Sequence, residues 1–382
     1  MSTHRQADFL QPKTVSGART ECLDGLRGLA VLMVVLSHYD HLRIGPIPFL
    51  NFAGAGIHGV YLFFTLSAFL LTSLLLPDSR AEILTARVWR DYFAKRLLRI
   101  YPLYIVVLLT HLVLWSWLRP RFALPLTATD VLAHLGLIAG LEFLWTIQVE
   151  CQFYLLLPAL VILHVVAFGR RLWPTMLAAV VCFFACGALV RFGYDRNLMF
   201  LVPFLPIFLC GWLAACVQAW AVARGYTTQS SFRTGAESIA WISFAAAIVQ
   251  LPSIWNAITG QQVPYYYFHL HRLRWGVIWA LCLLGAVQGR GVLAALLSSA
   301  PLRFFGAISF SLYLWHLPVG RAVQLVGRGT AYGWLAVAVS TFLASSTYVL
   351  VERPCFRFAR RFRGTRPAAD AVPARARAAA ID

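Results

Sequence analysis

Ten apolar runs, each close to twenty residues, alternate with short polar stretches: 26–43, 57–77, 99–118, 147–168, 173–191, 200–220, 237–255, 273–289, 303–325 and 331–351. A bilayer core about 30 Å thick is crossed by about 20 helical residues. The pattern therefore predicts an all-α, polytopic membrane protein with about ten transmembrane helices. A membrane domain over 26–356 would lie between a polar segment at 1–25 and a basic tail at 357–382. The tail is rich in Pro, Ala and Arg and reads as disordered. The stretch 130–144 is short and interrupted, so it is placed as an amphipathic or re-entrant piece on the outer side. Were it a span, every later orientation would reverse. The first run carries polar residues at helical spacing and many spans follow, so it reads as an uncleaved helix. No internal repeat is visible, and no appended soluble domain is expected.

Composition agrees. The chain is 60% hydrophobic and 13% charged, where soluble domains run near half and a quarter. That excludes disorder and disulfide-rich scaffolds and disfavours an ordinary soluble enzyme. The net charge of +18 could suggest nucleic acid, but its distribution argues against it. With both termini inside, inner segments hold 23 Lys and Arg and outer segments nine, with Arg27 inside the first run. This bias predicts cytoplasmic termini in a multi-pass protein of the cytoplasmic membrane. The eight cysteines fall in apolar runs or inner segments, so no disulfide framework is expected. Cys182 and Cys186 lie one turn apart and read as packing residues rather than a zinc half-site. No metal cluster and no phosphate-cradling glycine loop is visible.

Ionisable groups inside a span are costly and point to function. The first run holds Asp24, Arg27, His38 and His41. Asp24 and Arg27 are one turn apart and could form an interfacial ion pair. Arg27 and His38, eleven residues apart, face the same way about 16 Å from each other. His38 then reads either as a packed polar residue or as a general base. The segment 80–99 supplies Arg80, Arg87, Arg90, Lys95, Arg96 and Arg99. Arg96 and Arg99 enter the third run together, as a phosphate clamp or as an anchor on anionic lipid. His316 lies well inside the ninth run, as a substrate hydrogen-bonder or a packing histidine. Pro354 stops the last helix, and Glu352 reads as a structural ion-pair partner. Tyr265, Tyr266 and Tyr267 suit an interfacial aromatic belt, with a sugar platform as the rival.

These residues lie in ordered blocks. Arg27 and His38 are separated by ten residues; then come GVYLFFTLSAFLL (59–71), KRLLRIYPLY (95–104), LWTIQVECQFYLLLP (144–158), FFGAISFSLYLWHLPV (304–319) and VERP (351–354). Together they resemble the acyltransferase-3 family of integral membrane O-acyltransferases over nearly the whole chain. Two positions depart from its pattern: Ala68 stands where Gly is usual, and Cys151 replaces the second of two adjacent acids.

The resemblance implies transfer of an acyl group, commonly acetyl, from acyl-CoA to a hydroxyl of a carbohydrate, glycolipid or glycosylated natural product. It implies no permanently bound cofactor, with acyl-CoA as donor substrate. His38, Arg27 and Glu150 become the catalytic candidates, with Glu150 orienting His38 or the acceptor. Arg96, Arg99 and Arg27 are assigned to CoA, and Asp24, His316 and Tyr154 to the substrate. The expected partners are acyl-CoA, the acceptor and membrane lipid, with no nucleic acid. The reaction chamber is expected between helices, open toward both faces. Two other readings remain: a transporter or flippase using the Asp/Arg/His stripe as its pathway, and a degenerate member that binds CoA without turnover.

Overall fold

The computed structural model describes residues 17–76, 79–194, 200–261, 271–288 and 291–359. All regular structure among them is helical: α1 (Gly17–His41), α2 (Gly56–Leu75), α3 (Arg80–Ile83), α4 (Ala86–Trp117), α5 (Ala128–Leu135), α6 (Trp145–Ile162), α7 (Leu172–Leu189), α8 (Leu205–Ala223), α9 (Ser230–Val249), α10 (Pro252–Thr259), α11 (Arg272–Gln288), α12 (Val292–Leu297), α13 (Ala300–Ala307), α14 (Ser309–Val326), α15 (Thr330–Thr347) and α16 (Arg353–Ala359). Each of the ten apolar runs is helical. The aromatic loop 265–269 and the tail from 360 onward lie outside the described residues.

Among the described residues seven helices are long and apolar enough to cross a bilayer, and an eighth results if α9 and α10 form one span bent by 81°. That bend falls at Leu251-Pro252, where proline's missing N–H opens a new helix at its first position. The other two runs differ from a simple span: α11 has 17 described residues, and 303–325 is broken at Ile308 between α13 and α14. The stretch 130–144 does not span. It forms the eight-residue α5 and a 3₁₀ turn at Glu142–Leu144. A capping box starts α5: the Thr127 hydroxyl accepts from the Asp130 N–H, and the Asp130 carboxylate accepts from the Thr127 N–H. The Thr127 hydroxyl, which also donates to Asp130 Oδ2 at 2.6 Å, and then the Thr127 N–H hold the Asp130 carboxyl below the usual carboxylate range.

The largest boundary difference is in α4. Its helix begins at Ala86, thirteen residues before the apolar run at 99. Nothing in ARVWRDYFAKRLLR stops a helix, and its 32 residues extend about 48 Å, well beyond the hydrocarbon core. Arg96 and Arg99 therefore stand on a rigid helix rather than in a loop.

α1 lies at the centre of the bundle, against α2 and α12 to α14. Glycine permits the closest approaches. A Cβ on Gly25 would lie 1.5 Å from the Leu297 carbonyl oxygen, one on Gly28 1.9 Å from that of Leu302, and one on Gly306 1.9 Å from that of Asp24. Backbone-to-backbone packing of this kind is how apolar helices associate where water supplies no driving force. At the other end of α1, the buried Tyr39 hydroxyl meets Ser340 Oγ at 2.6 Å and lies 3.3 Å from the His316 carbonyl. That ties α1 to α14 and α15 beside His38. Between α2 and α8, Gly211 sits under the Thr65 carbonyl and the Ala68 methyl, at 2.3 Å and 2.9 Å from where a Cβ would be. Ala68 is thus a helix-packing residue.

Candidate functional site

α1, α2, α4, α6 and α14 enclose a cavity of about 920 Å³, its open mouth included. Its apolar lining includes Val60, Phe63, Leu70, Leu74 and Phe310. Its polar lining is Arg27, Arg96 and Arg99, with Glu150, Tyr154, Ser67, Thr146, Ser309 and Tyr313. Helical spacing explains the set. Arg96 and Arg99 are three apart on α4, and Glu150 and Tyr154 four apart on α6, so each pair shares a helix face.

Three cations and one carboxylate leave the lining with an excess of positive charge. The carboxylate is committed: Glu150 Oε1 accepts from Ser67 Oγ at 2.7 Å and from the Tyr154 hydroxyl at 2.6 Å. Glu150 was expected to orient His38 or the acceptor; its hydrogen-bond partners Ser67 and Tyr154 are on α2 and on its own helix. Arg96 lies over the Tyr154 ring at 6.0 Å, and its buried Nε has no partner among the described residues. Arg27 Nη2 donates to Ser309 Oγ at 3.4 Å. Arg99 meets Glu352 at 3.3 Å with side chains 11% and 1% exposed, and packs over Phe356 at 4.7 Å. Glu352 is thus an ion-pair partner, and Arg99 divides its face between that pair and the cavity.

Asp24 does not meet its expected partner. Among the described residues it makes no ion pair within 4.0 Å with Arg27, and it lies outside the cavity lining. Its backbone is pressed against Gly306 instead. Cys151, at the position of the absent second acid, is buried in the apolar core and also lies outside the lining.

His38 is not in the cavity lining either. It meets His316 of α14: His316 Nε2 lies 3.2 Å from His38 Nδ1. His38 Nδ1 is also 2.9 Å from the Val34 carbonyl, and His316 Nδ1 is 2.6 Å from the Tyr313 carbonyl. A carbonyl oxygen only accepts, so each Nδ1 carries hydrogen in the neutral pair. His38 Nε2 and His316 Nε2 then hold the lone pairs. His41, the rival base, accepts from the Gly54 N–H through Nε2 at 3.2 Å.

The cavity and the imidazole pair share a wall. Tyr313 lines the cavity, while its carbonyl holds His316. The Tyr313 hydroxyl donates to the Phe143 carbonyl at 2.5 Å and accepts from Thr146 Oγ1 at 2.8 Å. The Phe143 ring stands edge-on to His316 with centroids 5.8 Å apart. Where one chamber open to both faces was expected, a basic cavity and a histidine pair lie on either side of Thr146, Phe143 and Tyr313. Sequence reasoning had not singled out Ser67, Thr146, Ser309 or Tyr313, although each lies in one of the blocks that carry the resemblance.

A family model described as an acyltransferase domain matches residues 20–351. YrhL of Bacillus subtilis (strain 168), by its name a candidate peptidoglycan O-acetyltransferase, is 27% identical over 87% of this chain and 54% of its own length. The peptidoglycan O-acetyltransferase OatA of Listeria monocytogenes is 24% identical over 87% of this chain and 55% of its own. The O-acetyltransferase OatA of Staphylococcus aureus (strain NCTC 8325 / PS 47) is 22% identical over 87% and 56%. The chain spans about half the length of these relatives. No solved structure matches it.

Proposed function

The chain belongs to the acyltransferase-3 family, and on that premise we propose that it moves an acyl group, most simply acetyl, from acyl-CoA to a hydroxyl of a carbohydrate. The basic cavity supports the donor. CoA joins phosphates to a long, weakly polar arm that ends in the thioester. Arg96, with an unmet Nε, and the cavity-facing part of Arg99 offer phosphate contacts. Arg27 lines the same cavity. The apolar wall of α2 suits the arm.

The histidine pair carries the proposal. His38 Nε2 takes the proton of the acceptor hydroxyl as its oxygen attacks the thioester carbonyl. The carbon–sulfur bond breaks, the acyl–oxygen bond forms, and the departing CoA sulfur takes that proton back from His38. While His38 is an imidazolium, its Nδ1–H faces two acceptors, the Val34 carbonyl and His316 Nε2. Those acceptors stabilise the cation. Donor and base approach one another across Tyr313, whose movement would join the two compartments. The peptidoglycan named for two relatives makes a cell-wall glycan the first acceptor to try.

The test is thioester turnover. Purified protein in nanodiscs receives acetyl-CoA with and without a pool of peptidoglycan fragments. Free CoA should accumulate only with the pool, accompanied by O-acetyl ester on the glycan. An intact thioester with every glycan pool tried, together with no acetyl-CoA binding, would refute the proposal and favour transport.

A further inference from the structure

A second cavity, of about 690 Å³ with its mouth included, lies between α8, α9 and α11 and shares no lining residue with the first. Its wall is almost wholly apolar, with Phe232 and Ile239 on one side and Leu281 and Leu284 on another. Gln218 and Gln288 also line it, and they are only 4% and 3% exposed. Gln288 Nε2 donates to Gln218 Oε1. Among the described residues Gln218 Nε2 and Gln288 Oε1 have no partner.

This deficit does not depend on how the amide atoms are assigned. Two carboxamides sharing one hydrogen bond leave one NH₂ and one carbonyl over, whichever way each is turned. Burying an unmet donor beside an unmet acceptor is unfavourable, and a ligand bearing the complementary pair removes that cost. The trough is built rather than loosely packed. Gly285 lets α11 press onto α9, since a Cβ there would lie 2.2 Å from the Ala236 carbonyl oxygen.

Position identifies the ligand class. Gln218 lies five residues before the end of α8, and Gln288 is the last described residue of α11. Both stand near helix ends, at the depth where a spanning helix leaves hydrocarbon for the ester and glycerol layer. We propose that the trough binds a membrane glycerolipid. One acyl chain would lie along Ile239, Leu281 and Leu284. The ester carbonyl would accept from Gln218, and a free glycerol hydroxyl would donate to Gln288.

The test uses delipidated, full-length protein and native mass spectrometry with two probes of equal chain length, 1-monooleoylglycerol and methyl oleate. The first both donates and accepts, and the second only accepts. Wild-type protein should bind monooleoylglycerol about tenfold more tightly, as one additional hydrogen bond implies. Leu284→Trp, which fills the trough, should bind neither. Gln218→Leu with Gln288→Leu keeps the side-chain volume and should bind both probes equally. Thermal unfolding verifies folding, and Ile239→Trp replaces Leu284→Trp if that variant fails to fold. Equal wild-type affinity for the two probes overturns the proposal, as does undiminished monooleoylglycerol binding with the trough filled.

Discussion

Gly28→Ala tests whether the position of α1 depends on backbone contact. The new Cβ would lie 1.9 Å from Leu302 O, 2.8 Å from its carbonyl carbon and 3.0 Å from the Gly306 N. All three are backbone atoms, so no side chain can swing aside. Ordinary contact begins at 3.4 Å, so α1 and α13 must separate by about 1.5 Å, the difference from the first of these distances. Overpacking of this kind costs about 1–3 kcal/mol, and alanine's better helix propensity returns up to about 1 kcal/mol. With the full propensity gain, the net loss is up to about 2 kcal/mol. Arg27 precedes Gly28, and its 3.4 Å bond to Ser309 is already near the limit of a hydrogen bond, so it would be lost. The control is Gly187→Ala on α7, where a Cβ meets nothing within 4 Å; it should be neutral or slightly stabilising. Thermal unfolding in nanodiscs, followed by tryptophan fluorescence, reads stability, and acetyl transfer reads function. If Gly28→Ala matches Gly187→Ala in both, the close-packed account of α1 is wrong.

Three further outcomes are expected. Glu352→Gln leaves Arg99 without its partner in a site where the two side chains are 11% and 1% exposed. Stability should fall by about 2–4 kcal/mol, and Arg99→Met with Glu352→Met should recover much of it in a double-mutant cycle. Tyr39→Phe removes the hydroxyl from the α1–α14–α15 junction; an unfolding midpoint lowered by about 1–2 kcal/mol is predicted, with acetyl-CoA binding unchanged. Asp24→Asn should keep wild-type affinity for acetyl-CoA in a direct binding titration, because Asp24 neither lines the cavity nor pairs with Arg27. A tenfold weakening would place Asp24 at the donor site.

The helical class was legible because a span needs about twenty apolar residues, and hydropathy reports that length directly. The same signal misplaced the start of α4. Apolarity ends where a helix leaves the bilayer, whereas the helix itself continues until something breaks it, and ARVWRDYF breaks nothing. The break at Ile308 was hidden for the opposite reason, since apolar residues run through it. Arg27 and His38 could be singled out together because they are local to one helix, although only Arg27 lines the cavity. His38 and His316 are 278 positions apart, and no spacing rule reaches across that separation. Glu150 shows the same limit. Its charge marked it, but its partner Ser67 bears no charge and sits in an apolar block. Ala68, a departure from the family pattern beside Ser67, sits in the α2–α8 contact and does not line the cavity.

The central claim is that His38 performs the proton chemistry, with His316 and Val34 sharing its Nδ1 hydrogen. The most direct measurement is acceptor-dependent CoA release by wild type and His38→Ala at matched folding and matched acetyl-CoA binding. The account predicts that the variant binds donor as wild type does and loses at least about a hundredfold in transfer, the lower end of what a general base contributes. Transfer by His38→Ala within a fewfold of wild type would contradict it.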